Sequence, residues 1–109
     1  MAKTLQHQII ARALELISDE SKWTRGAMAR NAYRWSCPVE ALEAVRFCAV
    51  GAIRRAAFEL LGEADTGLVD QIEAMVLSAN GQARTNLASI NDREGRERIV
   101  AMFEKALIA

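Results

Sequence analysis

The residues with chemical potential are few. Cys37 and Cys48 are the two cysteines and His7 is the single histidine. A cysteine nucleophile needs a base and a means of lowering its pKa, and His7 is the only imidazole that could act. Cys48 falls on an apolar stripe with Val45, Ala52 and Ile53, which predicts a buried, inert thiol. His7 lies in the early part of a surface helix. The spacing of Cys37, Cys48 and His7 fits no zinc site, so no metal is expected. Asn91-Asp92 with Glu94 could supply acid–base carboxylates. A helix cap explains the same residues without function and is the preferred reading: Asn91 as N-cap, with Glu94 three residues on reaching back. Gly95 then sits in the first turn with no capping role. No glycine-rich phosphate loop is present, and no cofactor is expected.

The arginines are the remaining candidates. Eleven of the fourteen basic residues are arginine, which suits forked contacts with carboxylate or phosphate. The formal net charge is zero, but it is unevenly spread. Residues 22–55 hold seven basic against two acidic residues, a balance of +5, and residues 56–109 balance at −4. Arg25, Arg30, Arg34, Arg54 and Arg55 are therefore the candidate anion- or partner-binding residues. The competing explanation has carboxylates such as Glu59, Glu94 or Glu97 neutralise them within the fold.

Helical periodicity dominates the elements that must position these groups. Thr4 can cap a first helix with Leu5, Ile9, Ala13, Leu16 and Ile17 on one face. It ends at Ser18-Asp19-Glu20-Ser21. Residues 22–38 read as extended, because Trp23, Thr24, Tyr33 and Trp35 favour strands and Asn31-Ala32 can turn the chain. Trp23 is expected to pack beneath this segment. Pro38 suits the first turn of a second helix carrying Leu42, Val45, Ala49, Ala52, Ile53, Ala56 and Leu60. Gly51 within it predicts a close neighbouring helix. Asp65-Thr66-Gly67 opens a third helix with Leu68, Ile72, Met75, Val76 and Ala79, which Asn80-Gly81 stops. Residues 82–90 are ambiguous, with Leu87 and Ile90 anchored. The last helix buries Ile99, Met102, Phe103, Ala106 and Leu107.

Three segments carry a resemblance: Trp23-Thr24-Arg25-Gly26-Ala27, Cys48-Ala49-Val50-Gly51-Ala52-Ile53 and Asn91-Asp92-Arg93-Glu94-Gly95-Arg96. In this order the chain resembles a family of small uncharacterised bacterial and phage proteins, a domain of unknown function. Its pattern runs W-T-x-G-A, C-A-x-G-A-I, N-D-x-x-G-R. Phe47 and Ile90 stand where that family often has tryptophan. The resemblance implies a small hairpin around residues 22–38, and it implies no activity.

The expected fold is mainly α: a compact four-helix single domain over residues 1–109, with a short extended or β-hairpin segment between helices 1 and 2. At 109 residues a core without staples is feasible. There is no apolar signal core and no apolar run near the roughly 18 residues of a membrane span, so a cytoplasmic protein is expected, with no membrane partner. The expected function is a non-enzymatic protein-interaction module of phage or mobile-element association, such as an inhibitor of a host defence system. Its partner is an unknown protein or a second copy in a homodimer. The alternative is an anion- or nucleic-acid-binding protein using the arginine-rich face. A small cysteine enzyme is a distant third.

Overall fold

Thr4 opens the first helix as expected: its hydroxyl accepts the His7 amide at 3.1 Å. The structure, a computed structural model, describes residues 4–109. Helix α1 (Leu5–Leu16) buries Ile9, Ile10 and Ala13, and Ile17 just beyond its end is buried too. Asp19 then caps a single 3-10 turn, Glu20–Lys22. The chain is mainly helical, with five α-helices among the described residues rather than four, and a small two-stranded antiparallel sheet.

That sheet pairs β1 (Ala29–Arg30) with β2 (Arg46–Phe47). Between them runs a long excursion, residues 31–45. It starts in a tight turn, where the Arg34 amide reaches the Asn31 carbonyl at 2.9 Å. The Asn31 side chain accepts the amides of Tyr33 and Trp35 at 2.9 and 3.0 Å, fixing that turn. Arg34 occupies the left-handed region at φ 67°.

The second helix corrects the sequence reading. It does not begin at Pro38; α2 spans Ala49–Leu61. Leu42 is 96% exposed, and Val45 is also outside the core. Two successive turns, Ala41 amide to Pro38 carbonyl and Ala44 amide to Ala41 carbonyl, imitate helical spacing without joining into a helix. The Val45 amide instead bonds the Arg30 carbonyl, drawing the chain into β2. Cys48 is the N-cap of α2, not a mid-helix residue, and its sulfur accepts the Gly51 amide at 3.3 Å.

Helix α3 (Thr66–Ala79) buries Val69, Ile72, Val76 and Leu77. Asn80 ends it as expected, and its Nδ2 donates to the carbonyls of Val76 and Met102. The final part of the chain holds two helices, α4 (Leu87–Glu94) and α5 (Arg96–Ile108). Gly95 is the joint between them at φ 90°, so it does have a role at the cap. Asn91 is therefore inside α4 and fully buried, and it is not the N-cap of the last helix; the expected capping box with Glu94 does not form.

The five helices share one core. Helix α1 packs on α2 and α5, α3 on α5 and α2, and α4 on α5 and α2. Ala49, Ala52, Ala56 and Ala57 on α2 are buried small residues that let neighbours come close. Arg96 ties the end of α1, donating to the carbonyls of Ile17 and Ser18 that have no helical partner.

Candidate functional site

Residues 23–27, 48–53 and 91–96 meet at one buried side chain. Asn91 Oδ1 accepts the Trp23 indole N–H at 2.8 Å and the Ala49 amide at 2.9 Å. Its Nδ2 donates to the Thr24 carbonyl and to Asp92 Oδ1, both at 3.1 Å. Asp92 Oδ1 also accepts the Gly26 amide, and Arg25 donates to the Asp92 carbonyl. Both polar ends of Asn91 are thereby satisfied inside the core, as a buried amide requires. The Trp23 ring is half-buried, as expected, with the Arg25 guanidinium 5.0 Å over it. Gly51 belongs to the same junction. A Cβ there would collide with the Met28 carbonyl, so the close neighbour is loop backbone rather than a helix.

Beside this junction lies a small depression of about 220 Å³. Cys48 and Asp92 line it, along with Ala27, Met28 and Val50. Burial pushes the Cys48 thiol up from its ordinary value; the amides of Gly51 and Val50 pull the other way and do not overcome it. A thiol so held is a poor nucleophile at neutral pH. Both cysteines are free, and among the described residues no cluster of side chains could hold a metal ion.

The larger concavity, about 800 Å³, belongs to the arginines. Arg25, Arg30, Arg34 and Arg46 line it, together with Asp19, Glu20 and Trp23. Three of the expected binding residues, Arg25, Arg30 and Arg34, thus converge. Arg46 was not singled out from the sequence; strand pairing places it directly opposite Arg30. Directly paired residues project to the same face of a sheet, so two like charges are held together there.

These arginines have different duties. Arg30 is a strut: it donates to Thr24 Oγ1 and to the carbonyls of Arg34 and Arg25. Arg46 donates to the Ser21 carbonyl, while its Nε is enclosed without a partner. The Arg34 side chain makes no hydrogen bond and no ion pair among the described residues; only its backbone is bonded, to Asn31 and Arg30. No carboxylate lies within ion-pair distance of any of the four among the described residues. Their hydrogen bonds go to neutral oxygens, which leaves their charge uncompensated at close range.

Arg54 and Arg55 lie elsewhere, on α2. Arg55 bonds Glu59 at 3.0 Å and the carbonyls of Val39 and Ala41, clamping the excursion to the helix. Glu59 also accepts from Arg12 at 2.7 Å. Burial pushes the Glu59 carboxyl up, but the hydrogen bonds from Arg12 and Arg55 together hold it below its ordinary value. Internal neutralisation therefore accounts for Arg55. Glu94 pairs with Arg98, not with the groove.

Two aromatic side chains flank Arg34 in sequence and are largely bare: Tyr33 is 79% exposed and Trp35 71%. Their ring centres lie 5.9 Å apart, tilted at 41°. The sequence reading places a turn at Asn31-Ala32, where the structure has one, but it makes Tyr33 and Trp35 strand residues and gives no sign that their rings are left bare.

The model of a family of unknown function, DUF6197, matches residues 1–108 of the chain. No curated protein and no solved structure matches it.

Proposed function

The chain belongs to DUF6197, and from its exposed turn we propose that it is a non-enzymatic, cytoplasmic, single-domain interaction module whose partner is another protein. The observation that carries this reading is the display of Tyr33 and Trp35, either side of Arg34 in sequence, on a turn fixed by Asn31. Tryptophan, tyrosine and arginine dominate the residues that hold protein interfaces together. Large aromatics left bare on a rigid turn cost solubility unless something covers them. Leu42 and Val45 of the same excursion are exposed too, adding apolar surface. The raised thiol of Cys48 speaks against a cysteine enzyme.

The phage or mobile-element association implied by the sequence resemblance extends this proposal: a small module without catalytic groups would act by occupying a host protein, as an inhibitor of a defence system does. The test is affinity capture from cells of the source organism, comparing the native chain with Tyr33→Ala/Trp35→Ala. A protein retained by the native chain and lost with the double variant supports the reading. A second copy of the chain retained in the same way makes the partner a homodimer mate. A partner set indifferent to the two substitutions overturns it.

A further inference from the structure

Resting on the reading above, we infer that the groove beside the turn takes a polypeptide segment of mixed charge, with acidic side chains on its arginines and a basic side chain on Asp19 and Glu20. Four arginines line the groove, and none has a carboxylate at ion-pair distance among the described residues. Arg30 and Arg46 are held face to face by strand pairing, a repulsive arrangement that an anion between them relieves. Arg34 has every donor of its guanidinium uncommitted among the described residues and lies between the two bare aromatics in sequence. It is the residue best placed to grip a carboxylate in the forked manner of arginine.

The same groove carries two acids, which sets the class of ligand. Asp19 and Glu20 come from the 3-10 turn after α1, whereas Arg30, Arg34 and Arg46 come from the sheet and its excursion. Hydrogen bonds from the Ser21 amide and hydroxyl hold the Asp19 carboxyl below its ordinary value, so it stays charged. Glu20 has no side-chain hydrogen bond or ion pair among the described residues. A nucleic-acid strand presents phosphate along its whole length and meets these carboxylates with like charge. A peptide can alternate sign and satisfy both sets. Electrostatic matching of this kind sets partner choice as much as affinity.

The test uses three fluorescent probes at low salt: a peptide with a glutamate pair followed by a lysine pair, a hexaglutamate peptide, and oligothymidylate. The native chain should bind the mixed peptide most tightly. Arg34→Glu should weaken that binding by about tenfold or more, and a peptide with its charges exchanged should recover part of the loss. Glu20→Lys should weaken the mixed peptide while strengthening hexaglutamate and oligothymidylate. Both side chains are exposed and unbonded, so circular dichroism should show both variants folded. Tighter binding of oligothymidylate than of the mixed peptide by the native chain overturns the inference in favour of nucleic acid. No measurable peptide binding, or binding indifferent to both substitutions, overturns it outright. If capture of a partner still depends on Tyr33 and Trp35 in that case, the interaction reading survives and only the charge-matched groove falls.

Discussion

Trp23 and Asn91 stand 68 positions apart in sequence, and the indole N–H of one bonds the amide oxygen of the other at 2.8 Å. The same oxygen holds the first amide of α2. One side chain thus joins the segment before the sheet, the start of α2 and the interior of α4. The groove arginines hang from that joint, since Arg25 reaches the Asp92 carbonyl and also holds the Arg30 strut through its own carbonyl.

Asn91→Ala should therefore cost far more than a lost helix cap. It strands the buried Ala49 amide and the Trp23 indole, and removal of buried partners costs roughly 1–3 kcal/mol each. A total of about 2–4 kcal/mol in urea unfolding is expected. A loss within the roughly 0.5–2 kcal/mol of a cap deletion would return Asn91 to a capping role. Glu94→Ala should leave the effect of Asn91→Ala unchanged, because no box links them.

Gly51→Ala should be severe, although alanine is ordinarily the better helix former. Its methyl would collide with the Met28 carbonyl, which is backbone and cannot swing aside. A destabilisation of about 3 kcal/mol is expected, at the upper end of overpacking costs. A thermal melt showing no loss would mean that the Met28 loop moves away freely.

Acid should loosen the clamp between α1, α2 and the excursion. Glu59 is held below its ordinary carboxyl value in the folded state. Its contribution to stability is complete above the unfolded value, near 4.5, and disappears as pH falls through the lower folded value. Glu59→Gln should flatten the acid side of a stability-against-pH curve. An unchanged acid limb would show that Arg12 and Arg55 do not couple to it.

Cys48 behaves oppositely in alkali. Its thiol is raised by burial, so the unfolded chain ionises first and stability should fall as pH climbs past the ordinary thiol value, near 9.0. A thiol reagent should label native Cys48 only as fast as the protein opens. Labelling much faster than unfolding would place the thiol at an accessible site and revive the enzyme reading.

Much of the fold was legible because helical burial has a period. The faces of α1, α3 and α5 follow from Ile9, Ile72 and Phe103 and their neighbours; charge counting points to Arg25, Arg30 and Arg34 of the groove, but also to Arg54 and Arg55, which lie on α2. The failures share a cause: contacts distant in sequence decide them. Pro38, Leu42 and Val45 keep helical spacing, yet Arg55 claims the carbonyls of Val39 and Ala41, and Arg30 claims the Val45 amide. Asn91 in an N-D-x-x-G-R run looks like a cap until Trp23 and Ala49 supply its partners. Arg46 joins the groove only through its register with Arg30.

Arg34 offers the sharpest separation of stability from function. It sits at φ 67°, a conformation that costs an L-residue with a side chain about 1–2 kcal/mol and glycine nothing. Among the described residues its side chain makes no hydrogen bond or ion pair that the fold would lose. Arg34→Gly should therefore stabilise the protein by about 0.5–1 kcal/mol, after the extra flexibility of glycine in the unfolded chain is set against the relieved strain. Binding of the mixed-charge peptide should weaken in the same variant. A residue kept for the fold cannot give that pair of results. A destabilised Arg34→Gly with peptide affinity intact would make Arg34 a structural residue and leave the groove without its gripping side chain.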